Sequence, residues 1–161
     1  MKKIFQLTLL MAVVAFVFAS CSSQKGTVAN ANVSRGKFTG TWTITNISYD
    51  GLVENAVQSV FDQAPPSAFR GSTWNLTNSG NGLYTLSNGT SQTIFWSVNN
   101  TDPNAQIFQF KKIFEGDKAK NVTAGYQLYV VGNDGNNMTL KSPVSVGTGT
   151  AYIMYTFSKT K

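Results

Sequence analysis

The feature that most constrains this chain is a two-residue alternation of apolar and polar side chains. It is repeated in short runs from Phe38 onward, and the runs are separated by Gly, Asn and Asp. In 37–49, Phe38, Trp42 and Ile44 share one parity, while Thr39, Thr41, Thr43 and Thr45 share the other. Successive side chains of an extended chain point to opposite faces, so this period marks a strand with one apolar face. Further strands are expected over 72–78 (Trp74, Leu76), 83–87 (Tyr84, Leu86) and 92–99 (Ile94, Trp96, Val98). Three more follow over 106–114 (Phe108, Phe110), 122–131 (Tyr126, Leu128, Val130) and 137–142 (Met138, Leu140). The last, 150–158, is apolar at both parities, and its faces stay unassigned. Asn78-Ser79-Gly80-Asn81-Gly82, Asn88-Gly89 and Asp134-Gly135 are turn signals, and 100–104, with Pro103, reads as a loop. Strands in simple succession with one apolar face leave bare edges in an open sheet. The expected fold is therefore all-β, an eight-stranded up-and-down antiparallel β-barrel, with a two-sheet sandwich as the alternative.

The N-terminal 20 residues read as an address. Lys2 and Lys3 precede an almost wholly apolar stretch over 4–18. That stretch is shorter than the roughly 20 residues a spanning helix needs, and it reads as a signal-peptide core. Ala19 and Ser20, both small, stand before Cys21, the only cysteine. This arrangement resembles the lipobox of bacterial lipoproteins. The resemblance implies cleavage before Cys21, a diacylglyceryl thioether on its sulfur and an acylated amino group of the palmitate kind. Several such chains anchor a protein stably. Residues 21–36, rich in Ser, Gly, Asn and Ala, are expected to tether the folded body with a reach of roughly 20 Å. The tether has no acidic run, which favours an outer-membrane anchor facing the periplasm if the chain resembles the Bacteroidetes type.

One connection is long. Between the first two expected strands, 50–71 contains Val53, Ala56, Val57, Val60 and Phe61 at helical spacing, and Pro65-Pro66 ends any helix. A short amphipathic helix is expected in this loop. It lies either across the barrel mouth as a lid, with Val57, Phe61 and Phe69 above Trp74, Trp96 and Phe110, or over one end as a plug. Loops of this length in compact domains are usually functional.

Gly40-Thr41-Trp42 in the first strand resembles the Gly-x-Trp signature of the lipocalins. The strand layout and long first loop are similar to that family over 38–157. The segments Phe61-Asp62-Gln63-Ala64-Pro65-Pro66 and Gly71-Ser72-Thr73-Trp74 resemble the Bacteroidetes lipocalin-like lipoproteins. The resemblance implies that 37–161 forms a calyx enclosing a pocket for a small hydrophobic or amphiphilic molecule. Trp42 is expected to close its floor. The family usually packs an Arg after the last strand on that Trp, and here Lys159 is available. Candidate ligand-binding residues on the inward parity are Trp74, Trp96, Phe108, Phe110, Tyr126, Leu128 and Met138.

Catalysis is not expected. There is no histidine, which removes Ser-His and Cys-His chemistry and most transition-metal sites. The seven acids fall in loops, turns or the loop helix. No metal or cofactor is expected. The net charge is +6, or +4 without Lys2 and Lys3, with no cluster dense enough for nucleic acid. Lys112 shares the inward parity of Phe108 and Phe110 and is placed to offer a cation to a carboxylate, or to reach the rim. A second reading keeps the barrel filled by its own aromatics and assigns a non-enzymatic protein-interaction or structural envelope role to outward Phe95, Tyr129, Tyr152 or Tyr155. The chain is expected to be a monomer held to the membrane through its lipid.

Overall fold

The computed structural model describes residues 32–160. Eight antiparallel strands follow one another up and down: β1 (Gly40–Asp50), β2 (Thr73–Leu76), β3 (Asn81–Thr85), β4 (Ser91–Asp102), β5 (Ala105–Lys112), β6 (Tyr126–Asn133), β7 (Asn137–Val146) and β8 (Gly149–Thr160). Each pairs with the next, and β8 pairs with β1 from Thr41↔Thr160 to Asp50↔Tyr152, so the sheet closes into a barrel-like ring. Closure gives every strand two neighbours and leaves no edge for another chain to extend.

The inward face follows the alternation. Trp42, Ile44, Trp74, Leu76, Tyr84, Ile94, Trp96, Phe108, Phe110, Leu128, Met138 and Leu140 are all buried in one core. The unassigned last strand resolves as Ala151, Ile153, Tyr155 and Phe157 inward. Tyr155 is therefore removed from the expected outward set, while Phe95, Tyr129 and Tyr152 stay partly exposed. Three register shifts interrupt the ladders; the one between Asn99 and Asp102 lies next to the β4–β5 turn, and the other two change which residues face inward. One between Ile44 and Asn46 inverts the parity of β1, so Ile47 is buried although it lies three residues from Ile44. The other, between Val130 and Gly132, turns Val131 out and Asn133 in.

Several boundaries differ from the expected ones. A single turn of 3-10 helix, Arg35–Phe38, precedes β1 where a strand start is expected. Residues 100–104 form a tight hairpin rather than a loop, with Asp102 paired to Ala105. β6 begins only at Tyr126, and β7 runs on to Val146. In the expected tether, Val33 exchanges hydrogen bonds with the Gln106 side chain, N–H to Oε1 at 3.1 Å and Nε2–H to O at 2.8 Å. Arg35 lies 4.2 Å over the Trp96 ring.

The long loop contains no α-helix. It holds two 3-10 turns, Glu54–Ala56 and Pro66–Phe69, with a tight reversal between them. Val53 and Ala56, which belong to the expected apolar stripe, are exposed. Nine residues are too few for a helix to be stable on propensity alone, and β-branched Val at three of its positions lowers that propensity further. The chain instead reverses at Phe61 and Asp62, with a bridge between Val60 and Ala64. The reversal sends the Phe61 ring into the core.

Candidate functional site

The ring has two ends. Residues 35–38 and the β2–β3, β4–β5 and β6–β7 turns lie at one, called here the floor. The long loop and the β3–β4, β5–β6 and β7–β8 connections lie at the other.

At the floor, Trp42 is fully buried and its Nε1–H donates to the Phe38 carbonyl at 2.8 Å. Phe38 itself stacks on Phe108 at 6.0 Å and meets Trp96 at 6.4 Å. Lys159 crosses behind Trp42 with Nζ 5.0 Å from the ring. Gly40 makes that crossing possible. Its φ is +125°, and a Cβ there would stand 2.5 Å from Lys159 Cε. The Gly-x-Trp spacing thus has a local reason: the glycine clears a path for the cation that covers the tryptophan two residues on.

At the loop end, Phe61 occupies the centre of the ring. It meets Phe69 at 5.2 Å, Trp74 at 6.5 Å, Phe110 at 5.1 Å, Tyr126 at 5.5 Å and Tyr155 at 5.7 Å. Most of these contacts are edge-to-face, the arrangement ring quadrupoles prefer. Phe61 and Asp62 both have left-handed backbones, φ 55° and 48°. For a side chain as bulky as Phe this conformation costs on the order of 1–3 kcal/mol, and it persists only where surrounding contacts hold it. Three donors hold it. Tyr126 O–H donates to Asp62 Oδ2 at 2.8 Å, Lys112 Nζ to Asp62 O at 3.0 Å, and Tyr84 O–H to Gln63 Oε1.

Every expected ligand-binding residue lies on the inward face, but they divide between two layers. Trp96 and Met138 belong with the floor, Trp74, Phe110 and Tyr126 surround Phe61, and Phe108 and its cross-strand partner Leu128 lie between the two. Among the expected lid residues, Phe61 and Phe69 are buried in the core and Val57 is partly buried against it. Trp96 makes no ring contact with the loop; it lies under Arg35 instead. With Phe61 in place, the space bounded by Ile44, Phe61, Trp74, Phe108, Leu128, Leu140, Tyr155 and Phe157 is about 10 Å³. That is about the room one water needs. The larger concavities are on the outer surface. One of about 360 Å³ is lined by Phe95, Gln109, Lys111 and Gln127, and one of about 400 Å³ by Ala105, Tyr129, Val131, Lys141 and Tyr152.

Cys21 lies outside the described residues. Among those described, no three Cys, Asp or Glu side chains come together as metal ligands. No helix there is long and apolar enough to cross a membrane. The loop-end residues Asp62 and Gln63 were not foreseen as part of the site. The one signal for them was Lys112 on the inward parity, which implies an acceptor near its head.

Burial is the main cause that pushes the Tyr126 phenol up to about 12, and the hydrogen bond to Asp62 and its charge add to it. Burial raises Tyr84 and Tyr155 as well. The folded state thus holds these protons longer than the unfolded chain does. For Tyr126 that stabilisation is intact below the usual phenol value of 10 and is lost as pH rises through about 12. The urea midpoint is expected to fall between pH 10 and 12, and Tyr126→Phe should flatten that fall. A midpoint constant across this interval would refute the assignment.

No protein-family model matches the chain, and no curated protein matches it.

Proposed function

We propose that this protein is a lipid-anchored binding protein of the cell envelope, an eight-stranded lipocalin-like barrel that takes up a small apolar or amphiphilic molecule. The single observation that carries this reading is Phe61. The centre of the aromatic core is supplied by a loop residue in a strained backbone, held by side-chain hydrogen bonds rather than by strand pairing. A core side chain whose only task is stability more commonly comes from a strand. A loop residue in this position suits an interior that is filled at rest and opens for a ligand. The anchor is Cys21, and the membrane is the outer one, with the barrel on its periplasmic side. The function is not enzymatic and uses no cofactor.

One observation favours the second reading, a filled barrel that works through its outer face. The space beside Phe61 has room for a single water, whereas the groove of Tyr129, Lys141 and Tyr152 is about 400 Å³. Lys141 Nζ stands 4.1 Å from the Tyr152 ring there.

Mass spectrometry of the natively purified protein tests both parts of the main reading. Its N-terminal peptide is expected to begin at a triacylated or diacylated Cys21. A small amphiphile is expected to accompany the protein under native spray conditions. An unmodified Cys21 sinks the anchor. A protein that carries no small molecule and shows no saturable uptake of a neutral naphthyl fluorophore sinks the carrier and leaves the outer-face reading.

A further inference from the structure

The segment that fills the ring also imitates what would replace it. Phe61 is an apolar ring at the centre of the core, and the next residue is an anion. Lys112 at the end of β5 and Tyr126 at the start of β6 both donate to Asp62, while Tyr84 on β3 donates to Gln63. Three separate strands thus each send a donor to one tripeptide, and every acceptor is an oxygen of that tripeptide. If the segment leaves, an ammonium and two phenols lose their partners together at the entrance to the space the Phe61 ring vacates. The phenols keep their protons at neutral pH, because burial raises both, and so they remain donors.

We propose that residues 61–63 are a built-in occupant of the binding site, and that the ligand which displaces them is an amphiphile with an aromatic or alkyl body and a carboxylate head. The inference rests on the binding function proposed above and names its ligand class. The body takes the place of the Phe61 ring between Trp74, Phe110, Tyr126 and Tyr155. The head takes the place of the Asp62 oxygens at Lys112 and Tyr126.

Two physical arguments favour a carboxylate over a neutral head. Lys112 now meets a backbone carbonyl, and a carboxylate is a stronger acceptor for an ammonium. Exchange of one carboxylate for another also keeps an anion on Tyr126 and in the neighbourhood of Lys112, whereas a neutral head would not. Release of the left-handed backbone at Phe61 and Asp62 favours displacement of the occupant whichever head the ligand carries.

The test is calorimetric titration of the full-length protein in lipid nanodiscs with 3-phenylpropionate and with its neutral amide. The acid is expected to bind saturably and at least about tenfold more tightly than the amide, the worth of one charge-assisted hydrogen bond. Lys112→Met should remove that preference. Asp62→Ala should tighten binding of both probes, because it loosens the occupant at an exposed side chain and opens no hole in the core. Phe61→Ala should do the same if it folds, and Asp62→Ala carries the test if it does not. Equal binding of acid and amide overturns the carboxylate class while leaving the carrier function standing. Binding that Asp62→Ala does not tighten overturns the built-in occupant. Absence of binding by the wild type and by both variants overturns the carrier function itself.

Discussion

Trp42→Ala is expected to cost about 3–5 kcal/mol of folding stability, read as a shift in the urea midpoint. The ring is fully buried, and its loss empties the floor between Phe38 and the ring of strands. It also removes the donor that satisfies the buried Phe38 carbonyl, and an acceptor left unpaired away from water adds its own desolvation cost. Lys159 loses the surface it covers. Trp42→Phe separates these contributions, since it keeps most of the volume and drops only the Nε1–H. It should cost roughly 1–3 kcal/mol, the size of the orphaned carbonyl with a small cavity. A loss under about 1 kcal/mol for Trp42→Ala would mean that the floor is closed by something other than this tryptophan.

The floor was open to sequence reading because its residues lie on strands, where a period of two decides the face. Trp42, Trp96 and Met138 needed only their parity. The same rule failed where a bulge changes the count. Ile47 falls on the polar parity of 37–49, and nothing in Thr45-Asn46 announces the extra residue that turns Ile47 inward. At the second bulge Gly132 is a local sign, but a glycine next to a turn has several readings.

The long loop departs from the expected helix for a different reason. Val53, Ala56, Val57, Val60 and Phe61 fit a helical stripe, yet Val57 and Phe61 are drawn inward by the ring rather than by each other. A segment this short adopts whichever backbone buries its largest side chain, and Phe61 has five aromatic neighbours to reach. Whether the interior is hollow was beyond the sequence for the same reason. The volume left between strands depends on where a loop residue ends up. The docking of Val33 and Arg35 on the floor was hidden as well, since it depends on Gln106 and Trp96 at distant positions.

Phe69→Ala is expected to cost about 3–5 kcal/mol, as much as a substitution on a strand, although Phe69 belongs to the same loop as Phe61. The ring is fully buried, with Tyr84 at 5.8 Å and Phe61 at 5.2 Å. Its part of the loop is fastened by backbone bonds to β1, with Arg70 to Ile47 O and Trp74 Nε1–H to Ser72 Oγ added by side chains. Gly71 N–H donates to Ile44 O at 2.8 Å, Ile44 N–H to Ser72 O at 3.0 Å, and Ser72 N–H to Phe69 O at 3.0 Å. The first two prolong the β1–β2 pairing and cannot open unless the ring of strands opens too, and the third closes the turn that carries the buried Phe69 ring. The part around Phe61 has two backbone bonds, both internal to it, Val60 N–H to Ala64 O and Gln63 N–H to Val60 O, and is tied to the strands by Lys112, Tyr126 and Tyr84. The loop should therefore divide into two stability classes in native-state hydrogen exchange. The amides of Ile44, Gly71 and Ser72 should exchange only at the free energy of global unfolding, and those of Val60 and Gln63 at a lower one. Phe69→Ala should lower the first class with the global stability. If all five amides exchange at the global free energy, the Phe61 segment does not open on its own, and a ligand has no route past it.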